Sequence, residues 1–392
     1  MEPTTFLFLV GFAVSIGGWM VHEIMLAVAF GRSTKRQENE RVAGGVDALI
    51  PQTQGVRASV LVCVRNGKRH IIGLLKAIEK QNFEGKWEVV VVDDDSTDGT
   101  WQELESFHEI HDSSFALRTF ELGNTRPGKK EALALAVQQA RGAALVFTDA
   151  DCLPASNAWL KRMVEPLECG QDLILGLSLP RTERGPGVLG ALQAWDALRI
   201  ARSYVGWAEL GSPYMGVGRN MAMRAAVHPG FETHQDLASG DDDLAVQRLV
   251  SAADCRVHTL TDREAQVDSG LPQTSVRWMN QKRRHWSTAP RYARMDRLRL
   301  LFPQLLTMLW LVFGLLALTS GSQGGVLHIV LWILGIGLGS AWLTAVLIFR
   351  SIAKACQAPD HWFHYGWLQP FGTAWTWMMA MTMAIIPSRD QW

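Results

Sequence analysis

The chain has 392 residues, of which 48% are hydrophobic, and its formal net charge is zero. This length suits one folded domain with additional segments. A neutral chain lacks the basic field that typically holds nucleic acid, so nucleic acid is not expected as a partner. The cysteines number five and none stand in CxxC spacing, which argues against a disulfide framework or a zinc knuckle.

An almost continuously apolar run occupies residues 6–30 and is long enough to cross a bilayer core of about 30 Å. No Lys or Arg precedes it and no clean small-residue cleavage site follows. Residues 1–31 are therefore interpreted as a transmembrane anchor and not as a cleaved signal peptide. Glu23 lies toward the end of the run and is expected to snorkel toward the interface. Residues 32–56 are polar and contain glycine, which predicts a linker.

Between residues 57 and 272, short apolar segments alternate with segments of helical spacing. The predicted strands are 58–64, 87–92, 115–122 and 144–148, and the predicted helices are 68–81, 96–107, 129–140 and 155–167. This alternation predicts an α/β domain with a doubly wound, mainly parallel sheet. Ligands of such sheets bind beyond the carboxyl ends of the strands.

Three further apolar runs, at 300–318, 326–349 and 371–386, predict a C-terminal transmembrane region over residues 300–392. Residues 273–299 interleave Arg with Trp, Tyr and Leu, which is typical of an amphipathic helix on an anionic membrane, so membrane lipids are expected partners. The Lys and Arg residues that flank the runs place the N-terminus outside and the middle segment in the cytoplasm. We expect an integral protein of the bacterial inner membrane with four crossings.

Acidic residues follow two of the predicted strands, as Asp93-Asp94-Asp95 and as Asp149-Ala150-Asp151. Side chains at positions i and i+2 of an extended segment point to the same side, so Asp149 and Asp151 can converge on one hard cation such as Mg²⁺ or Mn²⁺. A cation of this kind completes its shell with substrate phosphates, which indicates a diphosphate leaving group. The alternative is that these acids only form turns and helix caps.

Five segments, in order, resemble motifs of the family 2 glycosyltransferases, whose catalytic domain has the Rossmann-like GT-A fold. They are residues 60–66, 91–100, 128–133, 147–151 and 218–222. Two later segments match with departures, because Gly240 replaces a usual Glu before Asp241, and His285 stands where Trp is expected, with Trp286 following. The resemblance covers about residues 56–290, and the flanking apolar helices fit the membrane-bound branch of the family.

The resemblance implies a role for each motif. Asp94, with Asp93 or Asp95 as the alternative, would contact the base or ribose of the nucleotide. Asp149 and Asp151 would hold the metal. The general base would be Asp241, with Asp242 as the alternative. The other substrate contacts would come from Asn66, Lys129, Lys130, Asn220, Gln281, Arg284, His285 and Trp286.

These roles predict an inverting glycosyltransferase that uses a nucleotide-sugar donor and a lipid-linked or saccharide acceptor at the membrane. A processive polysaccharide synthase is an alternative, although four spans are few for a polymer channel. A metal-dependent nucleotidyltransferase is a rival that would release pyrophosphate and not nucleoside diphosphate. A non-catalytic membrane scaffold is another rival, which Gly240 and His285 favour.

Overall fold

The structure is a computed structural model of the whole chain. It describes residues 1–42, 55–110, 114–123, 128–180, 187–230, 241–252, 254–270, 272, 274–358, 368, 372, 374–378 and 381.

The described strands are β1 (Ala58–Val64), β2 (Trp87–Asp93), β3 (Ala116–Glu121), β4 (Ala144–Asp149), β5 (Cys152–Pro154), β6 (Leu173–Gly176), β7 (Ser178–Pro180), β8 (Met221–Arg224), β9 (Val257–Leu260) and β10 (Val267–Ser269). Seven of them form the main sheet, in the order β3-β2-β1-β4-β8-β6-β9. The strands β1 to β4 are parallel, and β8 runs antiparallel to both β4 and β6. This confirms the predicted α/β class with a mainly parallel sheet.

The described α-helices are α1 (Pro3–Val42), α2 (Ile71–Glu79), α3 (Thr100–Ile110), α4 (Lys129–Gln139), α5 (Trp159–Glu168), α6 (Val188–Glu209), α7 (Asp241–Ala252), α8 (Ser275–Trp286), α9 (Arg294–Gln323) and α10 (Leu327–Ala355). The helix predicted from residue 96 begins only at Thr100. Asp98 explains the later start, because its carboxylate accepts the backbone N–H of Thr100 at 3.1 Å and so replaces an intrahelical acceptor.

Both faces of the main sheet are covered, as expected for parallel strands. Along β1, the side chains of Val60 and Val62 pack in one apolar cluster, and those of Leu61 and Cys63 pack in another on the opposite face. The second cluster also contains Phe30 of α1 and Phe349 of α10. The long apolar helices are therefore packed directly into the core of the α/β domain.

Among the residues that the structure describes, three helices, α1, α9 and α10, are long and apolar enough to cross a membrane. They pack together, and the Thr5 hydroxyl of α1 lies 2.6 Å from that of Ser320 in α9. The fourth predicted crossing, at 371–386, falls mostly outside the described residues. The part that is described, at 372, 374–378 and 381, is helical.

The predicted linker over 32–56 is wrong in its first part, because α1 continues to Val42. Gln37 is buried there, and its side-chain amide donates to the carbonyl oxygen of Thr259 at 2.8 Å. Its amide oxygen accepts the backbone N–H groups of Thr261 and Asp262, both at 3.0 Å. Tertiary hydrogen bonds thus stabilise a helical segment whose polar composition resembles a linker. Residues 43–54 of that linker lie outside the described residues.

A second, three-stranded sheet lies beside the carboxyl end of β4, in the order β5-β10-β7. Its strand β5 begins three residues after β4 ends. The residues between them include Asp151, so the metal motif lies at the junction of the two sheets.

Candidate active site

A cleft opens beyond the carboxyl ends of β1 and β4, where the α/β fold is expected to bind ligands. It contains about 1160 Å³ of empty space, including its open mouth. The polar and charged residues that line it are Lys129, Thr148, Asp149, Asp151, Arg219, His228, Asp242, Ser269, Gln281, Arg284 and His285.

Asp149 and Asp151 lie close together, although residues 150–151 form a turn and not the extended segment on which their convergence was predicted. One ligand atom from each of these residues and the sulfur of Cys152 all lie within 4.8 Å of one another. Burial raises the pKa of Cys152 well above its usual value, so this thiol stays protonated at neutral pH. The carboxylates remain as hard oxygen ligands, and this donor set suits Mg²⁺ or Mn²⁺.

Lys129 lies against one of these carboxylates, with its Nζ 2.6 Å from Oδ1 of Asp149. Burial opposes ionisation of Asp149, but Lys129, supported by Arg219 and Arg284, outweighs it and lowers the pKa of the carboxyl. Asp149 is therefore ionised and surrounded by cations. Lys130, on the same first turn of α4, is not among the residues that line the cleft.

Asp93 and Asp94 lie behind the cleft wall, and burial is the main cause that raises the pKa of each. Asp94 is fully buried; it accepts the backbone N–H of Gly128 at 2.9 Å and lies 3.6 Å from Arg65. Asp93 accepts the backbone N–H of Ser96 at 3.2 Å. Both acids hold the loops around the cleft, and direct contact with a nucleotide would require these contacts to open.

Two predicted substrate contacts occupy structural positions instead. Asn220 is completely buried; its side-chain amide donates to the carbonyl oxygens of Leu177 and Ala265 and accepts from the indole of Trp159. It therefore has no free group to offer a substrate. Asn66 has a positive φ of 52°, and its side-chain oxygen accepts the backbone N–H of Thr97 at 2.9 Å. It joins the loops after β1 and β2.

The late acidic cluster begins α7. Asp242 lines the cleft and accepts the backbone N–H of Gly218 at 2.8 Å. Asp243 is buried, and the Tyr292 hydroxyl donates to it. Asp241 is the first residue of α7. Its side chain, and the whole of Gly240, lie outside the described part of the chain.

Helix α8 presents Gln281, Arg284 and His285 to the cleft, whereas Trp286 does not belong to the lining. His285 therefore takes the wall position at which the family has Trp.

Comparison with known proteins supports the same assignment. Residues 59–210 match the model of the family described as glycosyl transferase family 2. By this match, residues 59–210 belong to the family 2 glycosyltransferases.

Curated relatives resemble only part of this chain. Glycosyltransferase AglE of Haloferax volcanii is 33% identical over 120 residues, which are 30% of this chain and 38% of AglE. The poly(ribitol-phosphate) beta-N-acetylglucosaminyltransferase TarS of Staphylococcus aureus is 36% identical over 97 residues, which are 24% of this chain and 16% of TarS. The matches thus span well under half of either relative.

A solved structure resembles this chain over nearly its whole length. The mannosyltransferase PcManGT from Pyrobaculum calidifontis, determined in complex with GDP-Man and Mn²⁺, has a TM-score of 0.54 and 20% sequence identity. The alignment covers 94% of this chain and 99% of that one. The similarity concerns the fold, including its flanking helices.

The sequence motifs missed one cation that lines the cleft. Arg219 directly precedes Asn220, and it lines both the cleft and a smaller adjoining pocket. Its Nε donates to the hydroxyl of Ser178 at 2.7 Å, which fixes the guanidinium between the two spaces. The signal was present, because Arg219 lies inside the motif at 218–222, but the resemblance drew attention to Asn220.

Helix α6 holds α8 in place beside the cleft. Asp196 of α6 is buried; it forms an ion pair with Lys282 of α8 and accepts from Arg199 at 2.8 Å. Burial opposes its ionisation, but Lys282 and Arg199 outweigh this and lower the pKa of Asp196 to about 2. Lys282 immediately follows Gln281, so this buried pair supports a cleft-lining segment.

Proposed function

We infer that the chain transfers a sugar from a nucleoside-diphosphate sugar to an acceptor at the membrane, with inversion at the anomeric carbon. The observation that carries this proposal is the convergence of acids and cations from distant segments in one cleft. Asp149, Asp151 and Asp242 meet Lys129, Arg219 and Arg284 there. The family match of residues 59–210 supports the same chemistry.

The donor's diphosphate fits the cationic part of the cleft. Arg219 and Arg284 can donate in pairs to phosphate oxygens, and Lys129 adds a mobile point charge. Asp149 and Asp151 would hold the divalent ion, Mg²⁺ or Mn²⁺. Such an ion offsets negative charge that develops on a leaving diphosphate.

The acceptor hydroxyl needs a base, and Asp242 or Asp241 would accept its proton. The acceptor oxygen then bonds to the anomeric carbon as the bond from that carbon to the donor phosphate breaks, and nucleoside diphosphate leaves. Asp242 is favoured by its position on the cleft wall. It accepts one hydrogen bond from Gly218, which orients its carboxylate.

The adjoining pocket offers an acceptor route. Beyond Arg219 its walls include Ile200, Ala201 and Tyr204 of α6 and Trp278 of α8. These apolar side chains stand beside polar ones, among them Gln193 and Lys282. Together with the three membrane-length helices found among the described residues, they favour a lipid-linked acceptor with a polar head over a free saccharide. The positive-inside pattern favours a cytoplasmic catalytic domain at a bacterial inner membrane. A single addition is favoured over processive synthesis, because the pocket is small.

Purified membranes incubated with a panel of nucleotide sugars and native lipid extract test this proposal. Wild-type protein should label a lipid-extractable product and release nucleoside diphosphate, and Asp151→Asn should lower the rate by about a hundredfold or more. One of Asp242→Asn and Asp241→Asn should lower kcat similarly and so identify the base. Glu109→Gln, which alters an exposed acid of α3, is the matched control.

Release of pyrophosphate would contradict glycosyl transfer and favour a nucleotidyltransferase. Absence of donor turnover across the panel, in protein that is inserted and folded, would favour the scaffold. Wild-type rates in the Asp151→Asn protein and in both base variants would discard the assigned roles.

A further inference from the structure

Lys129 lies at a position that is unfavourable for a cation, and its contact with Asp149 offsets this. Lys129 is the first residue of α4, and a cation at a helix N-terminus is disfavoured by the helix dipole. Both side chains are mostly buried, with 32% and 28% of their surface exposed. A lysine placed there needs a strong anionic partner, and Asp149 at 2.6 Å is that partner.

The charges of the cleft balance without any added ion. Among the described residues that line it, the cations are Lys129, Arg219 and Arg284, and the anions are Asp149, Asp151 and Asp242. A divalent cation that entered alone would give the cleft an excess positive charge, next to three fixed or tethered cations. A diphosphate that entered with it would restore the balance.

We propose that Lys129 is an internal counter-ion that occupies Asp149 until a divalent ion arrives together with a nucleoside diphosphate. The ammonium then moves from the carboxylate to the phosphates, which its flexible four-carbon stem permits. The ion binds weakly to the empty cleft and tightly with the nucleotide, because only the joint entry gives Lys129 a new anionic partner. This inference rests on the proposed function, since it assumes a nucleotide-diphosphate donor.

Such coupling is reciprocal. The factor by which a nucleotide increases the affinity for the ion must equal the factor by which the ion increases the affinity for the nucleotide. Loss of the ammonium should break both effects together, because the same side chain opposes the ion and then binds the phosphates.

Binding of Mn²⁺ alone to the solubilised full chain tests the inference, with free Mn²⁺ measured by electron paramagnetic resonance. Lys129→Met should bind Mn²⁺ about tenfold more tightly than wild type. In wild type, UDP or GDP should increase the affinity for Mn²⁺ by about 5–150-fold, and in Lys129→Met this increase should be far smaller. Lys76→Met removes an equal charge from the exposed face of α2 and should match wild type. Asp149→Asn should weaken Mn²⁺ binding and so show that the ion occupies this site.

Unchanged or weaker Mn²⁺ binding by the folded Lys129→Met protein would overturn the inference. If wild type transfers sugar in that case, the proposed function stands and only the counter-ion role fails. If wild type neither binds Mn²⁺ with nucleotide nor transfers sugar, both the inference and the proposed function fail. Thermal unfolding of each variant verifies that it is folded.

Discussion

Two adjacent residues of the motif at 218–222, Arg219 and Asn220, have side chains in different surroundings. Asn220 points into the core and Arg219 points into the cleft. Residues 218–220 form a turn before β8, in which the backbone N–H of Asn220 donates to the carbonyl oxygen of Val217 at 2.8 Å, and the two side chains leave this turn in different directions. The motif pattern alone does not say which of the two neighbours faces the ligand.

Substitution should separate these two roles. Asn220→Ala leaves the indole N–H of Trp159 and the carbonyls of Leu177 and Ala265 without this partner. We expect it to lower the free energy of unfolding by roughly 3 kcal/mol. Chemical denaturation in detergent measures this loss, and a loss under about 1 kcal/mol would contradict the structural role.

Arg219→Ala should lower activity and leave stability nearly unchanged. It removes a cation from the cleft wall and should lower kcat/KM for the donor by roughly a hundredfold, while the free energy of unfolding changes little. Steady-state kinetics with the donor found in the panel measure this. Arg219→Lys keeps the charge but not the planar fork, so an intermediate rate is expected. Wild-type kinetics in both variants would remove Arg219 from the site.

At the scale of elements, α8 depends on α6 for its position. The helix carries many cations and presents a single buried residue, Trp278, within its span. Trp278 stacks on Trp375 with ring centroids 4.8 Å apart. The buried pair between Asp196 and Lys282 is then a main polar link between α8 and the domain.

Asp196→Asn should destabilise the protein and slow transfer. The pKa of Asp196 is about 2 in the folded protein, against 3.8 as the unperturbed value. Its contribution is therefore fully present well above pH 4 and is lost as the pH falls from 3.8 through about 2, and it amounts to roughly 2 kcal/mol.

Unfolding midpoints measured between pH 6 and pH 3 should fall less steeply in Asp196→Asn than in wild type. A double-mutant cycle with Lys282→Met isolates the pair, and additive effects would contradict its coupling. A decrease in kcat with little change in KM would show that α8 is displaced in the reacting complex.

At the scale of the whole molecule, α1 joins the membrane region to the α/β domain as one helix. Its apolar part packs on α9, and Glu23 forms a buried ion pair with Arg202 of α6. Its polar part continues to Val42 and hydrogen-bonds to the segment after β9. The anchor is therefore also a structural element of the catalytic domain.

Gln37→Ala tests whether the polar part of α1 stabilises the catalytic domain. The substitution leaves the backbone N–H groups of Thr261 and Asp262 without the acceptor that they have in α1. We expect a loss of about 2–3 kcal/mol in the free energy of unfolding of the catalytic domain. Asn39→Ala, at an exposed position of the same helix, should change it by less than about 0.5 kcal/mol. Equal effects of the two substitutions would mean that residues 32–42 behave as a linker.

Periodicity and composition were enough to predict the α/β class, the first four strands and the apolar helices. These features depend on local pattern, because a parallel strand buried on both faces is apolar throughout and a membrane helix is apolar all round. The proximity of the paired acids after β4 was also predicted from their spacing of two residues, although the structure achieves it with a turn at residues 150–151 and not with an extended segment.

Only the tertiary structure decided which residues share the cleft. Asp242, Arg219 and Arg284 come from segments that are distant in sequence, and their meeting depends on how β8, α7 and α8 pack against the parallel strands. The burial of Asn220 and Asp94 and the helical state of residues 32–42 likewise follow from hydrogen bonds with distant partners. Local sequence fixes what a side chain can do chemically, whereas long-range packing fixes whether it faces a ligand or the core.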